Sequence, residues 1–171
     1  LQRIEYVPKA RVIEKNIINF ILKELKSVKA IILYGSAIQT NYSEYKDIDV
    51  LIVIKDKFWE NRRQKINLLN DLENKAEEIG LKLDIQILDV QTFKDSYPSN
   101  ISLIYQMKDS KIIYGYLSFS KKIELPKLNL KMKLDWSELD TLNPSGDEIY
   151  GCIRNTLIVR LILSKIIDNF Y

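Results

Sequence analysis

Apolar residues follow two rhythms along this chain, and the switches between them mark its elements. After Pro8, a residue suited to a first helical turn, Ile13, Ile17, Phe20, Ile21 and Leu25 recur at helical spacing and predict an amphipathic helix. Residues 28 to 34 form a short apolar run ended by Gly35, which predicts a buried strand. The polar stretch 37 to 46 predicts a loop or one helical turn, and 47 to 55 a second strand. From Phe58 to Ile79, the positions Ile66, Leu69, Leu72, Ala76 and Ile79 mark an amphipathic helix, with Gly80 placed to cap its end.

A third strand should follow at once, because Leu81, Leu83, Ile85 and Ile87 alternate with Lys82, Asp84 and Gln86. Pro98 and Ser99 open a short helix ending near Met107, and Lys111 to Tyr114 reads as a short strand. The order helix, strand, strand, long helix, strand predicts the α/β class: a small sheet with helices on one side. After Tyr116 the pattern changes, which divides the chain into a domain over 1–116 and a C-terminal extension over 117–171. Within the extension, Leu128, Leu130, Met132 and Leu134 alternate with Lys127, Asn129, Lys131 and Lys133, predicting an amphipathic arm over 125–135 with a basic face. Ser145 followed by Glu148 fits a capping box that opens an apolar helix over 145–170. That helix is apolar around most of its circumference and should be buried. Its stripe of Ile149, Ile153, Leu157 and Leu161 reads first as domain core and second as an interface with a protein partner or another copy.

Composition narrows the chemistry. The 171 residues suit one domain, or one domain with an appendage. A net charge of +3 advertises no general nucleic-acid footprint, although it leaves room for a local patch. Cys152 is the single cysteine, so no internal disulfide forms and a reducing cytoplasm is expected. No signal peptide is visible, and the longest apolar stretch is interrupted by Arg154, Arg160 and Lys165, so no membrane span is expected. The chain has no histidine, which removes Ser-His-Asp triads and most zinc sites.

The candidate chemistry lies in Asp47 and Asp49, which alternate with Ile48 and Val50 at the start of the second predicted strand. Side chains at i and i+2 of a strand share a face, so the two carboxylates should converge. At an effective dielectric of about 20 and roughly 5 Å, two such charges repel by about 3 kcal/mol. A fold tolerates that when a cation offsets the repulsion or one acid holds a proton. Leu51 and Val53 continue the same face and are apolar, so the acids should sit at the mouth of a strand buried further along, where parallel α/β sheets hold ligands. Gly35 lets the backbone approach a ligand, and the N–H groups after it, with the Ser36 hydroxyl, could hold a triphosphate. Hard oxygen ligands beside such a loop favour Mg²⁺.

The Gly35-Ser36 pair after an apolar strand, ten intervening residues, and then Asp47-Ile48-Asp49-Val50 resemble the DNA polymerase β-like nucleotidyltransferase superfamily. The nearest subfamily in appearance is the minimal nucleotidyltransferases, many of which are antitoxin partners of helical HEPN toxins. The resemblance covers roughly residues 10 to 116 and implies a small mixed sheet. It places a third carboxylate at Asp84, in Leu83-Asp84-Ile85, and a closing strand at Lys111–Gly115. By that resemblance Asp47 and Asp49 would bind two Mg²⁺ (or Mn²⁺) ions, and Asp84 would complete one site and help deprotonate the attacking hydroxyl. Gly35, Ser36 and Lys46 would hold the nucleoside triphosphate. The implied activity is transfer of a nucleoside monophosphate, AMP from ATP foremost, to a hydroxyl on a protein, a small molecule or an RNA end.

There are departures from the family pattern. The family usually places Arg-Gly after the Gly-Ser, whereas this chain has Ala37-Ile38, and a frequent Ser before the first aspartate is replaced by Lys46. Tyr42 and Tyr45 could stack a base, though a surface loop with two tyrosines needs no ligand. The alternative function is an antitoxin-like or regulatory protein of the same fold that acts by contacting a HEPN-type partner.

Overall fold

The computed structural model describes residues 9–39, 42, 47–97, 100–120 and 145–164. The arm expected over 125–135, the candidate Lys46 and the end of the final helix lie outside the described residues. In chain order the elements are α1 (Lys9–Glu24), β1 (Val28–Tyr34), α2 (Ser36–Gln39), β2 (Ile48–Ile54), α3 (Arg62–Glu78), β3 (Leu83–Asp89), α4 (Val90–Ser96), α5 (Ile101–Lys108), β4 (Lys111–Gly115) and α6 (Gly146–Leu163).

Four strands form one mixed sheet in the order β3-β2-β1-β4. β1 runs antiparallel to β2 and β4, while β2 and β3 are parallel and joined through α3. Strand alternation then sorts the side chains. Ile31 and Leu33 of β1, Ile48, Val50, Ile52 and Ile54 of β2, and Leu83, Ile85 and Ile87 of β3 belong to one core. Ile13, Ile17, Phe20 and Ile21 of α1, Ala37 of α2, and Leu72 and Ala76 of α3 fill the same core, so these three helices share one side of the sheet. Ile17 and Ile21 are fully buried, each contributing about 1.5–3 kcal/mol of burial. On the opposite face, Ala30, Ile32, Leu51 and Val53 are also fully buried.

Local chemistry sets the ends of α3. Asn61 accepts the Gln64 N–H at 3.0 Å, and the Glu60 N–H donates to Gln64 Oε1 at 2.7 Å. This capping starts the helix at Arg62, four residues later than the apolar spacing predicts, and leaves Phe58 exposed. At the other end, Gly80 has φ +78°, the Gly80 N–H reaches Glu77 O at 2.9 Å, and the Leu81 N–H reaches Ala76 O at 2.9 Å. That is a Schellman stop, and it returns the chain directly into β3. β3 is an edge strand, and its Ile85 N–H is met by Glu73 of α3 at 2.9 Å.

One helix, α4, is absent from the sequence expectation. Asp89 starts it by accepting the Thr92 N–H at 2.8 Å and the Thr92 hydroxyl at 2.6 Å. Burial alone would raise the Asp89 carboxyl, yet the Thr92 bonds and the N–H groups of Asp89 and Gln91 bring it below the usual carboxylate value.

The chain separates into two compact units. The first comprises 1–94 and 109–119 and holds the whole sheet, whereas the second comprises 95–108 and 120–171. α6 lies in the second unit and departs from the expectation of a buried stripe. Ile149, Ile153 and Leu157 are 39%, 56% and 55% exposed, while Val159 is buried and Cys152 and Thr156 are half-buried. With apolar residues on nearly every side, periodicity cannot tell which face of such a helix is covered. No helix among the described residues is long and apolar enough to cross a membrane.

Candidate active site

The sheet register assembles the site. Tyr34, the last residue of β1, pairs with Asp49 of β2, and Asp49 pairs with Asp84 of β3. Laterally paired residues present their side chains on the same face, so these three form one polar row beyond the apolar residues Ile32, Leu51 and Val53. Asp47 precedes β2 by one residue and is exposed. The candidate acids therefore do come to one edge of the sheet. The expectation of a parallel sheet's ligand-binding mouth is corrected, however. The acids stand at the N-terminal ends of the parallel strands β2 and β3, beside the C-terminal end of the antiparallel strand β1.

Gly35 makes room for this row. Its φ is +78°, a conformation natural to glycine, and an added Cβ would lie 1.9 Å from Asp49 Oδ2 and 2.9 Å from Asp49 Cγ. The Asp49 carboxylate thus occupies the space a side chain at position 35 would need. Gly35 and Ser36 are exposed next to it, and α2 begins at Ser36.

Electrostatics express the crowding. The Asp49 carboxyl is pushed up from 3.8 to about 6, first by burial, then by the charge of Asp84 and that of Asp47. Asp84 is raised as well, by burial and then by Asp47. The Tyr34 phenol is raised strongly by burial, with Asp49 and Asp84 opposing its ionisation further. Tyr34 is only 4% exposed, and its buried hydroxyl has no hydrogen-bond partner among the described residues. A buried polar group in that condition costs about 1–3 kcal/mol.

These groups suit a hard divalent cation in donor chemistry: carboxylate oxygens whose charges oppose one another and gain from a positive ion between them. They do not form a complete cage, since no three acidic or cysteine groups among the described residues are gathered closely enough to hold a metal. Mg²⁺ ordinarily takes one or two carboxylates and fills its remaining positions with water and substrate phosphate, so the donor set fits an ion that arrives with a nucleotide.

Helix α2 accounts for one departure from the pattern of the family this chain resembles. Ala37, where an arginine is common, is fully buried in the core that α1, α3 and the sheet share. A long cation has no place there. Tyr42 is 2% exposed, and its hydroxyl donates to Glu14 Oε1 at 2.9 Å, the same oxygen that Lys111 Nζ contacts at 2.8 Å. Its N–H donates to Ala37 O at 2.8 Å, so Tyr42 anchors the loop and is no base-stacking platform. Tyr45 lies outside the described residues. Tyr34 is the member of the row that sequence reasoning missed. Its one signal was a tyrosine ending an apolar strand directly before the glycine.

The structure thus has a four-stranded mixed sheet with acids on adjacent strands beside Gly35-Ser36. The pattern of the family "Polymerase beta, Nucleotidyltransferase" matches residues 15–116, more than half of the chain, and the protein belongs to that family. It is therefore a nucleotidyltransferase by class. Among curated proteins, none matches this sequence. Several solved structures are similar in chain trace. One is a tri-AMPylated Shewanella oneidensis HEPN toxin in complex with MNT antitoxin, at 19% identity over 63% of this chain and 73% of that one, with a TM-score of 0.40. Another is a toxin–antitoxin with AMP-PNP, at 14% identity over 89% and 90% of the two chains, with a TM-score of 0.41. A third, the toxin–antitoxin MntA-HepT, shows 18% identity over 62% and 73%, with a TM-score of 0.39. Similarity at this level adds no weight to the family match.

Proposed function

We propose that this protein transfers a nucleoside monophosphate, AMP from ATP, to an acceptor hydroxyl in the cytoplasm. The observation that carries this reading is the row of Asp49 and Asp84 on adjacent strands, with Asp47 beside it and Gly35-Ser36 at its edge. Asp47 and Asp49 would hold Mg²⁺ or Mn²⁺, with Asp84 completing one site. The metal would supply positive charge to the reacting phosphate and lower the pKa of the nucleophile. The N–H groups that follow Gly35 and the Ser36 hydroxyl would hold the triphosphate, and Lys46 would supply positive charge to a phosphate. The acceptor oxygen bonds to the α-phosphorus, the bond to pyrophosphate breaks, and Asp84 takes the acceptor's proton. Asp84 stands beside Asp49 on the neighbouring strand, which places a carboxylate within the same row for that proton transfer.

A second reading, contact with a HEPN-type protein partner, is favoured by one observation: the exposed apolar stripe of Ile149, Ile153 and Leu157 on α6. The two roles are compatible. The test incubates the protein with α-³²P-labelled ATP, CTP, GTP or UTP, with Mg²⁺ or Mn²⁺, in a bacterial lysate, with Asp49→Ala as control. Label passing from ATP onto a protein, small molecule or RNA, and lost in the variant, is the expected result and names the acceptor class. Transfer that persists undiminished in Asp49→Ala would refute the assignment of the acids.

A further inference from the structure

We propose that Tyr34 is a positioning residue for Asp49, donating its phenol hydrogen to an Asp49 carboxylate oxygen when a divalent cation holds that carboxylate. The inference rests on the metal-binding reading of the acids given above. Tyr34 and Asp49 are direct partners in the β1–β2 register and share a face with Asp84. The Tyr34 side chain is almost completely enclosed, and its hydroxyl is buried without a partner among the described residues. Proteins seldom leave a buried hydroxyl unpaired, and each such group calls for an explanation such as a catalytic role or a bound ion.

The surroundings limit what an acceptor for Tyr34 can be. On that face of β1 and β2, Ala30, Ile32, Leu51 and Val53 are apolar and fully buried, and the polar side chains Asp84 and Gln86 stand on β3, one strand further from Tyr34 than Asp49. Asp49 is the carboxylate directly paired with Tyr34, and it lies against Gly35, the residue next to Tyr34 in sequence. An ion held by Asp49 would gain from a donor that fixes how the carboxylate is turned. Carboxylates that hold metals are themselves commonly held by a hydrogen bond of this kind, which fixes their orientation. A phenylalanine at position 34 would fill the same space and leave the carboxylate without that constraint.

The test compares wild type, Tyr34→Phe and Asp49→Asn by Mn²⁺ titration followed by electron paramagnetic resonance, and by thermal melting in EDTA. The expected result is Mn²⁺ affinity weakened about tenfold in Tyr34→Phe, as for other groups that hold metal ligands. Its melting temperature without metal should be unchanged or higher, because the phenol has no bond to a described residue to lose. Unchanged Mn²⁺ affinity in Tyr34→Phe overturns the proposal. So does a metal-free melting temperature well below wild type, which would mark a purely structural hydroxyl. Wild-type protein that binds no Mn²⁺, or Asp49→Asn that binds it as tightly, overturns the metal reading itself, and the proposal with it.

Discussion

Replacing Asp49 by asparagine should stabilise the metal-free protein while abolishing nucleotidyl transfer. In the folded chain the Asp49 carboxyl is raised from 3.8 to about 6 by burial, Asp84 and Asp47, so the fold binds this proton more tightly than the unfolded chain does. The stability it contributes is therefore complete below about pH 4 and is lost as pH rises through about 6. At about 1.4 kcal/mol per pH unit the full effect is roughly 3 kcal/mol, and partial exposure of the group reduces it to about 1–2 kcal/mol. Asparagine keeps the shape and removes the ionisation. At pH 8 in EDTA the variant should melt about 3–6 °C above wild type, for a chain of this size. The difference should fall to about a third of that near pH 4.5 and vanish below the ordinary carboxylate value. Adding Mg²⁺ should raise the wild-type melting temperature and leave the variant unmoved. A variant that melts no higher than wild type at pH 8, or a difference independent of pH, would refute the reasoning.

Two glycines with the same φ of +78° should respond differently to alanine. Gly80→Ala meets no atom within 4 Å, so only left-handed strain of about 1–2 kcal/mol is expected in a denaturant melt. Gly35→Ala adds a Cβ 1.9 Å from Asp49 Oδ2, so it should also displace that carboxylate and abolish transfer; an active Gly35→Ala would contradict the site's geometry. Asp84→Asn should lower kcat by about 10²-fold or more, as expected for loss of a general base, and flatten the acidic limb of the pH–rate profile. Tyr42→Phe removes the bond to Glu14 and should cost about 1 kcal/mol in a melt, with the KM for nucleotide unchanged, because the ring is an anchor.

Much of the fold was legible because its signals are local. The apolar run 28 to 34 matches β1, and the alternation of Leu81, Leu83, Ile85 and Ile87 is buried as read. Gly80 ends α3 through backbone geometry that glycine favours. Short-range chemistry of lesser salience was overlooked. Asn61 resets the start of α3, and Asp89 with Thr92 nucleates α4, although both are ordinary capping signals. The final helix was illegible for another reason: a sequence apolar on most sides does not say which side is covered.

The amino-acid sequence by itself determined the elements and the kinds of residue available for chemistry, since hydrophobic period, capping residues and the absence of histidine are properties of neighbouring positions. It also determined that Asp47 and Asp49 lie two apart at the start of a strand. Only the tertiary structure decided that Tyr34, Asp49 and Asp84 stand in one row, that Asp49 fills the space beside Gly35, and that Ala37 belongs to the core. Strand order and register join residues far apart in the chain. A one-residue slip would turn every side chain to the other face, so the site depends on the packing of the whole sheet.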